Sequence, residues 1–358
     1  MPLPEWVPIR EDLRGFEPYG APQIPDVINL NVNENPYAPS AQVAADIAEA
    51  VRIAAAGLNR YPDREATALR TALADYLGHG LTVDGIWAAN GSNEVMLHVL
   101  QAFGGPGRTA LSFAPTYSMY PEYARDTHTR WVTGTREEDF TIDADRALEL
   151  IEAEQPDVVL LTSPNNSTGT ALPLDIVRAV MAVAPGVVVV DEAYAEFRRE
   201  GTPTALQVLA EFPRLLVSRT MSKAFALAGG RLGYIAADAA IIDALRIVRL
   251  PYHLSAVTQA VAVAALAHRD ELLARVDEIR TSRDELAAWL EEQGHEVADS
   301  DANFLLFGHF DDRHAIWQAL VDRRVLIRET GPEGWLRVSV GTPAENAVFK
   351  QALQEVTR

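Results

Sequence analysis

GVVVVDEAY, residues 186–194, decides the fold. Four consecutive valines leave no polar face, so an extended segment there must be covered on both sides. That suits a strand of a parallel sheet with helices above and below it. VVLLTSPNN, residues 158–166, reads the same way. From about residue 41 to residue 250, short apolar runs ending in Gly, Pro or Asp alternate with helical patterns. Such alternation predicts an α/β fold whose large domain is a doubly wound, mostly parallel sheet with its site at the carboxyl ends of the strands. Further out, residues 1–40 are rich in Pro and Asn and read as an extended arm. Residues 251–358 read as a small α+β domain, helical from Ser255 to Gly294. There NFLLFGHF (303–310), RVLIRE (324–329) and WLRVSVG (335–341) then alternate with helical segments. Arm and small domain both flank the large domain and are expected to pack together.

A chain of 358 residues exceeds what one core usually holds, which agrees with this division. Zero cysteines exclude disulfides and thiolate chemistry and fit a reducing, cytoplasmic setting. The opening MPLPEWVPIREDLRG lacks the apolar core of a secretory signal. The apolar stretch from Ala256 to Ala267 is too short to span a bilayer and carries Thr258 and Gln259, so no membrane partner is expected. A net charge of −19 argues against nucleic acid and anionic lipid. The eight histidines show no HExxH or similar spacing, so no metal is expected.

SRTMSKAFALAGGRLG, residues 218–233, carries the chemistry. Lys223 stands between small hydroxyls, with Arg231 downstream. An amine for an aldehyde beside donors for a phosphate is what pyridoxal phosphate requires. Asp191 ends the valine run, where a carboxylate can pair with a protonated pyridine nitrogen and keep the ring an electron sink; alone, it reads more readily as a helix cap, a reading that Lys223 displaces. Tyr194 and Asn166 can reach the ring's phenolic oxygen, although locally they read as a packing aromatic and a turn residue. Gly91, Ser92 and Asn93 open a helix in NGSNEVMLHVLQAF (90–103), and their N–H groups suit an anion. Thr220 and Ser222 can add hydroxyls, and Arg231 a charge-assisted bond to the same phosphate. Tyr117 can stack on the ring or simply pack in the core. Arg328 and Arg337 lie in apolar runs and need an anionic partner, either a substrate or a structural carboxylate. In so acidic a chain, such arginines must overcome a repulsive field locally.

The ordered set NENPY, YPD, NGSNE, PTYSMY, SPNNSTG, VVDEAY, SKAFALAGGRLG, LRVSVG resembles the fold-type-I, class-II pyridoxal-phosphate aminotransferases. Within them it is most similar to the histidinol-phosphate aminotransferase family. The likeness runs from Arg10 to Arg337, and REDLRGFEPYGAPQ with LNVNENPY points to the actinobacterial members. The resemblance implies that Lys223 forms the internal aldimine, Asp191 pairs with the pyridine nitrogen, Asn166 and Tyr194 hold the phenolic oxygen, and Tyr117 covers the ring. It implies a phosphate site of Gly91, Ser92, Asn93, Thr220, Ser222 and Arg231. It further implies a homodimer with shared sites: Tyr61 reaches the other subunit's phosphate, and Tyr252 crosses towards the substrate. Tyr19 and Asn33 would line the entrance, and Arg328 and Arg337 would bind the substrate anion. The implied reaction is ping-pong exchange between L-histidinol phosphate and 2-oxoglutarate, giving imidazole acetol phosphate and glutamate in histidine biosynthesis. The alternatives are an aromatic amino acid aminotransferase, a phosphate-specific decarboxylase on the same scaffold, and a non-catalytic regulatory module, which acidity and the missing basic segment disfavour. The family's usual proline is replaced by Ser167, which removes a rigidifying residue beside Asn166.

Overall fold

The computed structural model describes residues 3–357. Residues 1, 2 and 358, the outer ends of the expected arm and small domain, lie outside the described residues. The arm is mostly extended and contributes one short strand, β1 (Ile28–Asn29). The large sheet follows, with β2 (Ile86–Ala89), β3 (Thr109–Ala114), β4 (Arg130–Thr135), β5 (Val158–Thr162), β6 (Val187–Asp191), β7 (Leu215–Thr220) and β8 (Gly233–Ala237). Its order is β2-β8-β7-β6-β5-β3-β4. All neighbours are parallel except β8, which runs antiparallel between β2 and β7.

Strand periodicity explains why the valine runs are continuous. Val188 and Val190 enter one core with Val159 and Leu161, whereas Val187 and Val189 enter a second core with Val158 and Leu160. Helices cover both faces. Leu69 and Leu73 (helix Thr67–Leu77) and Val177 and Val180 (helix Leu174–Val183) close the first core. Val95 and Val99 (helix Ser92–Phe103) and Leu245 (helix Ala239–Val248) close the second. The helix Ala256–Ala267, capped by Ser255, also belongs to the first core through Ala262, Ala265 and Leu266. It therefore packs with the large sheet although it follows residue 250.

The helix Arg269–Glu292 bridges the two regions, with Leu272 in the first core and Leu286 and Leu290 in the small domain's core. That domain holds β9 (Glu296–Val297), β10 (Phe304–Gly308), β11 (Val325–Leu326) and β12 (Leu336–Ser339). The sheet order is β12-β10-β9, all antiparallel. β11 instead pairs in parallel with β1 of the arm, and Leu30 joins the small domain's core.

Candidate active site

A cavity of about 240 Å³ opens at the carboxyl ends of β3, β5, β6 and β7. Fourteen residues singled out from the sequence line it: Tyr19, Asn33, Ser92, Asn93, Tyr117, Asn166, Asp191, Tyr194, Thr220, Ser222, Lys223, Arg231, Arg328 and Arg337. Gly91 adjoins it. Its φ of +83° suits glycine, and a Cβ there would meet the Arg231 guanidinium. Tyr61 and Tyr252 lie elsewhere, stacked on each other with centroids 4.4 Å apart, and Tyr61 is 79% exposed.

Asp191 is the last residue of β6 and is buried. Its Oδ2 accepts a 2.9 Å bond from the Tyr120 hydroxyl, while its Oδ1 is buried without a partner. Burial raises its pKa to about 6, against the opposing hydrogen bonds from Tyr120 and the Ala193 N–H. A free, buried carboxylate oxygen is the feature that a cationic ring N–H would satisfy.

Lys223 follows β7 in a turn closed by the Ala226 N–H donating to its carbonyl. Its Nζ donates to the Val32 carbonyl of the arm at 2.8 Å. Burial first, then the positive charges of Arg337 and Arg231, lowers this amine to a pKa of about 8. It is therefore far more available as a neutral nucleophile or base than an exposed lysine.

The helix Ser92–Phe103 begins at the cavity with no side chain capping its first turn. Ser92 and Asn93 at this helix start line the same cavity as Thr220, Ser222 and Arg231, so dipole and donors together suit an anion. Gly233 lets this assembly close, since a Cβ there would collide with the backbone of Gly91 and Ser92. Arg231 is exposed, and its Nη1 donates to Ser222 Oγ at 3.3 Å.

On the far wall, Arg337 is buried over the Phe304 ring. It donates to Asn166 Oδ1 and, at 2.9 Å, to the Asn31 carbonyl, while its Nε has no partner. Burial lowers its pKa to about 10, so it stays cationic at neutral pH. Among the described residues no carboxylate forms an ion pair with Arg337 or Arg328. With Asn166 Oδ1 engaged, the amide NH₂ of Asn166 is the group left for the cavity. Ser167 does not leave its loop loose: Asn165 braces it by donating to Thr168 Oγ1 at 2.8 Å and to the Pro115 carbonyl at 3.0 Å.

Asn33 does not sit at the entrance as expected. It is 1% exposed, in a left-handed conformation, and donates to the Tyr194 hydroxyl at 3.0 Å. The pairing of β1 with β11 draws the following arm residues into the floor, where Ser339 Oγ holds both Asn33 N and Oδ1. Tyr19, 49% exposed, does line the mouth and accepts a bond from Ser118 Oγ. Sequence reasoning missed Tyr120, Thr116 and Thr162. Tyr120 lies in the same PTYSMY string as Tyr117, three residues on, and that helical spacing was its only signal.

The donor set of a free buried carboxylate oxygen, a lowered lysine, an uncapped helix N-terminus and an unpaired buried arginine fits a phosphorylated aldehyde cofactor and an anionic substrate. Comparison with known proteins agrees. The family model for aminotransferase class I and II matches residues 25–353. The chain is 62% identical over 351 residues to the histidinol-phosphate aminotransferase of Thermobifida fusca, covering 98% of this chain and 96% of that one. It is 56% identical over 378 residues to that of Bifidobacterium longum, covering 99% and 98%. The solved structure of the Sinorhizobium meliloti histidinol-phosphate aminotransferase, in complex with pyridoxal-5′-phosphate, is similar with a TM-score of 0.81. Identity there is 26%, with 91% of this chain and 89% of that one covered. The chain belongs to the class I and II aminotransferases.

Proposed function

We propose that this protein is a pyridoxal-phosphate-dependent histidinol-phosphate aminotransferase of histidine biosynthesis. It exchanges an amino group between L-histidinol phosphate and 2-oxoglutarate, giving imidazole acetol phosphate and L-glutamate. The observation that carries this reading is the buried Asp191 Oδ1 without a partner, in one cavity with Lys223 and the uncapped helix at Ser92. Bound there, pyridoxal phosphate supplies an aldehyde and an electron-withdrawing ring that stabilises negative charge on the substrate's α-carbon.

The chain's own groups do the rest. Lys223 holds the aldehyde. Ser92, Asn93, Thr220, Ser222 and Arg231 hold the phosphate, with Gly91 permitting the close approach. Asp191 keeps the ring nitrogen protonated, Asn166 and Tyr194 hold the phenolic oxygen, and Tyr117 covers the ring. Lys223 Nζ takes a proton from the α-carbon of the amino substrate and later returns one, as base and then acid. Arg337, with Arg328 beside it, receives the phosphate of one substrate and the carboxylate of the other, since a planar guanidinium accepts both. One arginine serving two anions in turn suits ping-pong exchange.

The active unit is a homodimer in the cytoplasm. The stacked, exposed Tyr61 and Tyr252, with exposed Leu58, Ile247 and Leu250, support an interface through which these tyrosines reach the second site. Among the described residues no helix is long and apolar enough to cross a membrane.

The deciding experiment mixes the cofactor-loaded protein with L-histidinol phosphate and follows the cofactor's absorbance. Conversion to the pyridoxamine form within one turnover is expected, with phenylalanine far slower; faster turnover of phenylalanine would replace this assignment by an aromatic aminotransferase. A second outcome follows from the lowered amine. At pH 7 about a tenth of Lys223 is neutral, against far less than a hundredth for an ordinary lysine. The rate at which cofactor-free protein takes up pyridoxal phosphate should therefore climb between about pH 7 and 9 and then level off. A rate still rising steeply at pH 10 would contradict the lowered pKa.

A further inference from the structure

We propose that Tyr120 is a positioning residue for the reaction, anchoring one oxygen of Asp191 so that the other stays free for the cofactor's ring nitrogen. The inference rests on the cofactor reading above. Tyr120 is fully buried at the start of the helix Tyr120–Asp126, behind the cavity wall. Its hydroxyl donates to Asp191 Oδ2 at 2.9 Å. With that proton committed, the Tyr120 oxygen accepts from Thr162 Oγ1 at 3.1 Å, and Thr162 in turn accepts from Thr116 Oγ1 at 3.2 Å. Three hydroxyls thus point one way, from the cavity wall to the carboxylate, and each polarises the next.

Among the described residues no cation forms an ion pair with this carboxylate. The charged group beside it is Glu192, of like sign, which is itself held on the opposite side of β6 by Arg219, Thr204 and the Ala205 N–H. Among the described residues the phenols of Tyr117, Tyr123 and Tyr194 also feel Asp191, and the Lys223 amine lines the same cavity. The negative charge therefore depends on the Tyr120 hydroxyl and the Ala193 N–H. Tyr120 is the only side chain among the described residues that bonds the Asp191 carboxylate. It fixes the carboxylate's rotation as well as its charge, since the bonded Oδ2 leaves only Oδ1 to meet the ligand. A carboxylate free to rotate or to pick up a proton would hold the ring nitrogen less well.

The test uses the full chain, with and without pyridoxal phosphate. Tyr120→Phe keeps the ring and removes the hydroxyl. Thr162→Val removes the next link and carries the test if the first variant does not fold. In cofactor-free protein, the Asp191 carboxyl is titrated by infrared difference spectroscopy with ¹³C-aspartate and assigned with Asp191→Asn. Its midpoint should rise by about one unit or more in Tyr120→Phe, the worth of a hydrogen bond to a charged group, and by less in Thr162→Val. Pyridoxal phosphate affinity, read by equilibrium dialysis, should weaken about tenfold in Tyr120→Phe. In the loaded enzyme kcat should fall while KM stays. Wild-type uptake of pyridoxal phosphate together with an unmoved Asp191 midpoint, or with unchanged affinity in the variants, overturns the proposal alone. Wild-type protein that takes up none overturns the cofactor reading and the proposal with it.

Discussion

Replacing Lys223 by alanine is expected to lower kcat about 10⁴-fold, the upper end of what one positioned acid–base group contributes. Two losses coincide in this variant. No amine remains to hold the aldehyde, and no base of suitable pKa stands near the substrate's α-carbon. The other titratable groups of the cavity cannot substitute. On the proposed reading Asp191 would be committed to the ring nitrogen, while Tyr194 is held by Asn33 with its proton retained by burial and Arg337 stays protonated. Pyridoxal phosphate should still bind without a covalent link, because the donors around Ser92 and Arg231 are untouched. Borohydride treatment followed by peptide mapping should fix the cofactor on Lys223 in the wild-type protein and nowhere in the variant. Normal turnover by Lys223→Ala would remove this residue from the mechanism.

The second large effect is expected at Arg337. Its alanine variant should lose about 10³-fold in kcat/KM for both L-histidinol phosphate and 2-oxoglutarate, since removing one partner of a buried charged contact costs roughly 2–5 kcal/mol. A purely structural arginine would give a different pattern. Its loss would lower the melting temperature and leave the two substrates' relative KM values scattered. Here, among the described residues, the guanidinium pairs with no carboxylate and its Nε has no partner. Both substrates should therefore suffer together. Arg337→Lys should recover only part of the loss, because a point charge cannot reproduce a fork. Unchanged kinetics with both substrates would exclude Arg337 from the site.

The large sheet was legible because burial on both faces favours Val and Leu at the first four positions of β5 and β6, and composition records that directly. The antiparallel β8 left no such mark, since GYIAA looks like any covered strand. Site residues at strand ends were legible because loop chemistry is local: a lysine among hydroxyls, an aspartate after valines. Contacts across long separations were not. The pairing of two residues of β1 with two of β11 carries almost no pattern, yet it moves Asn33 from the expected entrance to the floor. Tyr120 was hidden for another reason. An aromatic inside a helix start reads as packing, and only its distance to Asp191 reveals its second task.

Asn33 and Ser339, which meet beneath Tyr194, are 306 residues apart in sequence. Lys223 and Arg337 both rest on carbonyls of residues 31 and 32. A nascent chain can thus complete its seven-stranded sheet on the ribosome while its reactive centre stays unfinished. Competence arrives only when the final hundred or so residues have emerged and captured a segment synthesised at the outset. Loss of the leading stretch would leave the seven-stranded sheet its partners but strip β11 of β1, open the small domain's core at Leu30 and take the carbonyls from beneath Lys223 and Arg337.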